Sequence, residues 1–134
     1  MVINYVAVLC AAVAAWVFGA IWYMVLGSPW KAALGWTAEQ IKTTQPQLPI
    51  GPMLVSFVAE VVMAAVLALF MHAFGRPTYA RGAIVGAHCW LGFVVTSIAV
   101  NNAYQGRKSM LTVIDSGHWL GVLVIEGVVL GLMG

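Results

Sequence analysis

The chain is predicted to be an all-α integral membrane protein, a four-transmembrane-helix bundle with short interfacial helices in its first loop. Two observations carry that expectation. Hydrophobic residues make up 63% of the 134 and charged residues 7%, with a mean hydropathy of +0.97, whereas soluble domains hold about 25% charged residues. The apolar residues also fall into four runs, near positions 2–26, 52–74, 78–102 and 111–133. Each is long enough, at ~1.5 Å per residue, to cross a ~30 Å hydrocarbon layer. Spans and short connections use almost every residue, so a single domain over 1–134 is expected.

The first span holds Ala12, Ala15 and Gly19 at three- and four-residue steps, a smooth face for close helix contact. Trp22 and Tyr23 follow near its end, at a depth suited to headgroup contact. Residues 27–51 are the one long polar stretch. There Ser28 before Pro29 reads as a cap with proline at the first helical position, and Thr37 with Gln40 reads as a capping box. Two short helices are therefore expected, Pro29 to Leu34 and Ala38 to Thr43, anchored at the membrane surface by Trp30 and Trp36. Pro52 can open the second span. Gly75, Arg76 and Pro77 form a turn, residues 103–108 form another, and Ser109 caps the fourth span.

Charge is sparse. Six basic and four acidic residues leave +2, too little and too scattered for a nucleic-acid surface. The N-terminal segment MVINYVAVLC has no Lys or Arg, so it lacks the basic region of a cleaved signal peptide and the first helix is expected to stay. Cys10 and Cys89 both sit in apolar runs and read as free thiols. Lys31, Lys42, Arg107 and Lys108 in the first and third connections outnumber Arg76 and Arg81 around the second. That bias favours both termini outside the cytoplasm.

The fourth run, LTVIDSGHWLGVLVIEGVVLGLM, carries Asp115, His118 and Glu126 where a membrane helix ordinarily carries no ionisable group. Eleven positions at ~100° each return the helix to within about 20°, so Asp115 and Glu126 share a direction, with His118 about 60° away. Glu60 lies near the middle of the second span and His88 in the third. Counting from each midpoint puts Glu60 level with His118 and His88 level with Glu126, so each acid is expected to meet a histidine. Arg81, His88 and Asn102 are expected to share a direction on the third helix. An acid near the bilayer centre costs ~2.5 kcal/mol or more on insertion scales, against about 0.6 kcal/mol for an average interhelical polar contact. Gluing helices would hardly offset that cost, and a proton-exchanging role is the stronger reading for Glu60 and Glu126.

Trp16, Trp90 and Trp119 lie in mid-span instead of at the interface, where their rings beside buried acids can line a cavity for an organic cation. Gly82 with Gly86, Gly117 with Gly121, and Gly127 with Gly131 form small-xxx-small pairs, expected to serve helix packing. The pairs on the fourth span are expected to make one packing face, opposite its polar face. No HxxxH or CxxC spacing occurs, and His88 and Cys89 project about 100° apart, so no metal site is expected. No haem or other cofactor is expected either.

The segments GAIWYMVLGSPWKAALGWT, CWLGF and IDSGHWLGVLVIEG together resemble the small bacterial integral membrane proteins catalogued as domain of unknown function 1761. The resemblance covers nearly the whole chain and implies four spans, with no reaction or ligand attached. The residues themselves point to a proton-linked transporter or channel for a small ion or organic cation. The competing class is a non-catalytic scaffold or regulatory subunit acting through helix contacts. No nucleophile and base at recognisable spacing and no phosphate loop suggest an enzyme. The expected partners are the lipid bilayer, a proton or small cation, and a second copy, because four short helices enclose little volume.

Overall fold

In the computed structural model, which describes residues 2–134, the chain is all-helical, with 82% of residues in helix and no strands among those described. Helix α1 spans Tyr5–Val25, α2 Gly27–Ala33, α3 Ala38–Thr43 and α4 Ile50–Ala73. Helix α5 (Tyr79–Cys89) passes through a π-helical turn, Trp90–Val94, into α6 (Val95–Tyr104), and α7 covers Ser109–Met133. Four rods, α1, α4, α5–α6 and α7, are long and apolar enough to cross a membrane.

The boundaries follow local chemistry. Helix α1 begins at Tyr5 and not at Val2, because the Asn4 side chain accepts the Ala7 N–H at 3.2 Å and caps the helix there. Ser28 does not cap α2: Leu26 ends α1 and starts α2 together, so Ser28 already lies within the second helix. The Thr37–Gln40 capping box is present, with its two bonds at 3.1 and 2.9 Å. Pro49 precedes α4, which places Pro52 inside the first turn, where a missing N–H costs nothing. Thr78 caps α5 by accepting the Arg81 N–H. Lys108, not Ser109, stands at the N-cap of α7. Gly75 (φ 112°) and Gly106 (φ 65°) take the left-handed conformation that closes the turns after α4 and α6.

Helix α7 is the axis of the bundle, packing against α1, α2, α4, α5 and α6. It does so on two glycine faces, and not on the single face that pattern reasoning suggests. A methyl group added at Gly82 would fall on the Gly127 carbonyl, and one at Gly127 on the Gly82 carbonyl. Methyls at Gly86 and Gly131 would meet the carbonyls of Leu123 and Thr78. The backbones of α5 and α7 therefore touch, which only hydrogen side chains permit. Gly117 and Gly121 instead receive the rings of Trp22 and Phe18 from α1. Six residues separate Gly121 from Gly127, a rotation of about 120°, so the two pairs address different neighbours. At the far end Ala7, Val8, Ala11, Ala64, Leu67, Ala68, Met71 and Leu130 close an apolar core between α1, α4 and α7.

Candidate functional site

Two carboxylates lie fully enclosed within the bundle. Glu60 on α4 and Glu126 on α7 are both 0% exposed and close enough to act on each other electrostatically. Ser56, one turn before Glu60, donates its hydroxyl to Glu60 Oε2 at 3.2 Å. Glu60 Oε1 and both oxygens of Glu126 have no hydrogen-bond partner. The neighbouring Gly127 lets α5 close on one side of Glu126. Gly19 stands beside His118 on the antiparallel α1, and the same register brings Ala11 and Ala12, both 0% exposed, to the level of Glu126.

Neither acid meets the histidine expected for it. His88 is exposed, and its Nδ1 lies 2.8 Å from the carbonyl of Ile84 on its own helix. The reason is rotational: Gly82 and Gly86 must face α7, and six residues from Gly82 carry His88 about 120° away from that contact. Arg81 and His88, seven residues apart on α5, keep one direction, but Asn102 leaves it, because the π turn takes up one extra residue and rotates everything after it by about 100°. Arg81 bonds the Arg76 carbonyl at 2.7 Å, and Asn102 reaches Thr112 on α7 at 3.0 Å.

His118 sits in a second cluster, toward the α1–α2 junction. It is 4% exposed, and its Nδ1 is buried without a partner. Phe18 stacks on it at 6.2 Å between centroids, Tyr23 lies at 5.0 Å and Trp119 at 4.6 Å. A methyl at Gly19 would come within 2.7 Å of its Nε2, so that glycine admits the imidazole. One turn earlier, Asp115 Oδ1 accepts two bonds, from the Tyr23 hydroxyl at 2.7 Å and from the Trp30 indole at 3.1 Å. The indole of Trp22 donates to the Ile114 carbonyl at 3.1 Å, and Lys108 Nζ donates to the Ala32 carbonyl at 3.2 Å. These bonds fasten α1 and α2 onto α7.

The mid-span tryptophans separate in the same way. Trp16 donates to the Met53 carbonyl at 3.1 Å and meets Phe57 edge-on, tying α1 to the start of α4. Trp90 donates to the Ser116 carbonyl at 2.7 Å, across from the π turn to α7. Only Trp119 joins a polar cluster. Sequence reasoning missed Ser56, Tyr23 and Trp30 as partners of the acids. Ser56 could have been found, since it precedes Glu60 by four positions and lies on the same helix face. Tyr23 and Trp30 gave no such signal, because their contact with Asp115 spans more than eighty residues of chain.

Four apolar rods of spanning length around enclosed acids define a multi-pass membrane bundle with an ionisable interior. The chain belongs to the family described as protein of unknown function (DUF1761), whose model matches residues 6–131. No curated protein and no solved structure matches it.

Proposed function

We propose that the protein is a small proton-linked membrane carrier or conduit for a cation, with Glu60 and Glu126 as the exchanging group. The observation that carries this reading is the pairing of two fully enclosed carboxylates with three of their four oxygens unbonded. A structural role for such acids depends on hydrogen bonds, and an average interhelical polar contact contributes only about 0.6 kcal/mol. Holding an acid at the centre of a span costs ~2.5 kcal/mol or more. The single bond from Ser56 does not offset that for two acids.

Two adjacent negative charges would be strongly disfavoured in a dry enclosure, since each buried ion needs a partner. Among the described residues no cationic side chain bonds either carboxylate. Uptake of one positive charge, a proton or a small cation, is then the event that stabilises the pair. Release of that charge toward the opposite side of the membrane completes a transport cycle. The test is flux in proteoliposomes under an imposed pH gradient. Glu60→Gln and Glu126→Gln each keep the side-chain shape and remove the charge, and each should abolish acid-dependent flux. Variants that move protons or cations like the parent would remove the reading.

A further inference from the structure

The carboxylate pair is not the place where the aromatic rings gather. They gather around Asp115, at the meeting of α1, α2 and α7. Tyr23 and Trp30 stand edge to face with centroids 5.5 Å apart, and both donate to the same atom, Asp115 Oδ1. Both partners are neutral, and neither bonds Oδ2. One turn deeper, the buried Nδ1 of His118 has no partner, although its ring touches the Tyr23 side of the same cluster. Asp115 is thus a half-buried carboxylate with one oxygen outside these bonds, edged by aromatic O–H and N–H groups, with an unsatisfied imidazole nitrogen one turn away.

We infer that Asp115 and the rings around it form a binding site for a small organic ammonium ion, closed in this structure by the indole of Trp30. A carboxylate attracts the positive charge, and once the Trp30 indole swings aside, the rings around Asp115 can turn a face to the same cation and attract it through their quadrupoles. An inorganic divalent ion is served poorly here, since it asks for six or so oxygen ligands and one carboxylate offers two. Trp30 already supplies an N–H and a flat ring to Asp115, the two features such a ligand would bring. It is also displaceable. Trp30 rides on α2, a seven-residue helix with no side-chain cap at its N-terminus. The polar side-chain bonds that hold this helix to its surroundings are Trp30 to Asp115 and Lys108 to the Ala32 carbonyl. So lightly fastened a segment opens more readily than the bundle beneath it.

The site stands on its own geometry, and only its role as a loading station for transport rests on the reading of Glu60 and Glu126. The experiment titrates the full-length protein in detergent with tetraethylammonium chloride and follows tryptophan fluorescence, with potassium chloride at equal ionic strength as control. Saturable binding of tetraethylammonium alone is expected. Asp115→Asn should weaken it by about tenfold or more, the loss of one close charge interaction at a half-buried site. Trp30→Phe keeps a ring but removes the competing N–H, so affinity should rise several-fold. A merely structural tryptophan would give the opposite sign. Equal responses to both salts, an Asp115→Asn protein that binds like the parent, or a Trp30→Phe protein that binds no more tightly, would each overturn the inference. If Asp115→Asn fails to fold, the Trp30→Phe comparison decides alone. Tetraethylammonium binding in a protein without acid-dependent flux would leave this site standing and sink the carboxylate reading. Flux with unaltered binding in Asp115→Asn would do the reverse.

Discussion

Replacing Glu126 by Met should make the protein more stable while stopping the proposed exchange. Glu126 is 0% exposed and both its carboxylate oxygens lack partners. An unsatisfied buried polar group costs roughly 1–3 kcal/mol, so two such atoms weigh against the fold by a few kcal/mol. Methionine has a similar length and volume, and swaps of that kind in a packed interior cost less than about 1.5 kcal/mol. The balance is a gain on the order of 2 kcal/mol, which for a chain of this size corresponds to several degrees in melting temperature. Glu60→Met should gain much less, because it removes one unpartnered oxygen but strands the Ser56 hydroxyl that now donates to Glu60 Oε2. Thermal unfolding of the parent and both variants in one detergent, read by circular dichroism, gives the ranking. A Glu126→Met protein that melts several degrees below the parent would mean that the carboxylate holds the fold together through bonds, and the argument from its isolation would fail.

Four further substitutions probe the frame of the bundle. Gly127→Ala drives a methyl into the Gly82 carbonyl and should lower stability by about 1–3 kcal/mol, whereas Gly92→Ala meets nothing within 4 Å and should be neutral or stabilising by ~0.5–1 kcal/mol; melting temperatures of the two variants check the contrast. Tyr23→Phe removes the 2.7 Å bond to Asp115 and should cost about 1.5–3 kcal/mol, read as faster hydrogen exchange across the α1–α7 contact. Asn4→Ala deletes the cap of α1 and its reach to the Met133 carbonyl at 3.2 Å, so about 1 kcal/mol should be lost, with exchange rising in the first turn of α1.

The four spans were legible because hydropathy over twenty residues is a sum that no single neighbour alters. The Thr37–Gln40 box was legible because both of its bonds lie within four residues. The pairing of the acids was not, because it depends on how each helix is rotated about its own axis. That rotation is set by Gly82 and Gly86 lying on Gly127 and Leu123, and it turns His88 outward. The glycine spacing was visible in the sequence, but which helix it addressed was not. The π turn at Trp90–Val94 coincides with the Trp90 bond to Ser116, a contact between helices with no local signature. Burial of Glu60 and Glu126 could be anticipated from its cost in lipid. That both acids would be enclosed without a cationic partner could not, since local electrostatics would nominate a cation for each.

The polar groups of α7 fall at two levels, and the residues between them matter to any passage through the bundle. His118 and Glu126 are eight residues apart, about 12 Å along the axis. Between them Val122 is 0% exposed. Because Gly19 stands against His118, the antiparallel register places Ala15, also 0% exposed, one turn on and opposite Val122. On the α1–α7 contact, a layer of fully buried apolar side chains thus lies between the aromatic cluster around Asp115 and the level of Glu126. A continuous wet pore through both levels would have to part that contact. A carrier in which one level opens while the other stays shut is compatible with it, and the step that hydrates the layer would then limit the rate. The side chains on the α1 side of the layer, Ala11, Ala12 and Ala15, are small. Toward the C-terminal end of α1, however, Phe18 and Trp22 lie on Gly121 and Gly117, and Trp22 and Tyr23 bond Ile114 and Asp115, so α1 is held on α7 by large rings. The α5–α7 contact is held differently, backbone on backbone through glycine. Any movement that opens the level of His118 must therefore part the rings of α1 from α7, whereas the level of Glu126 is closed by small side chains and glycine.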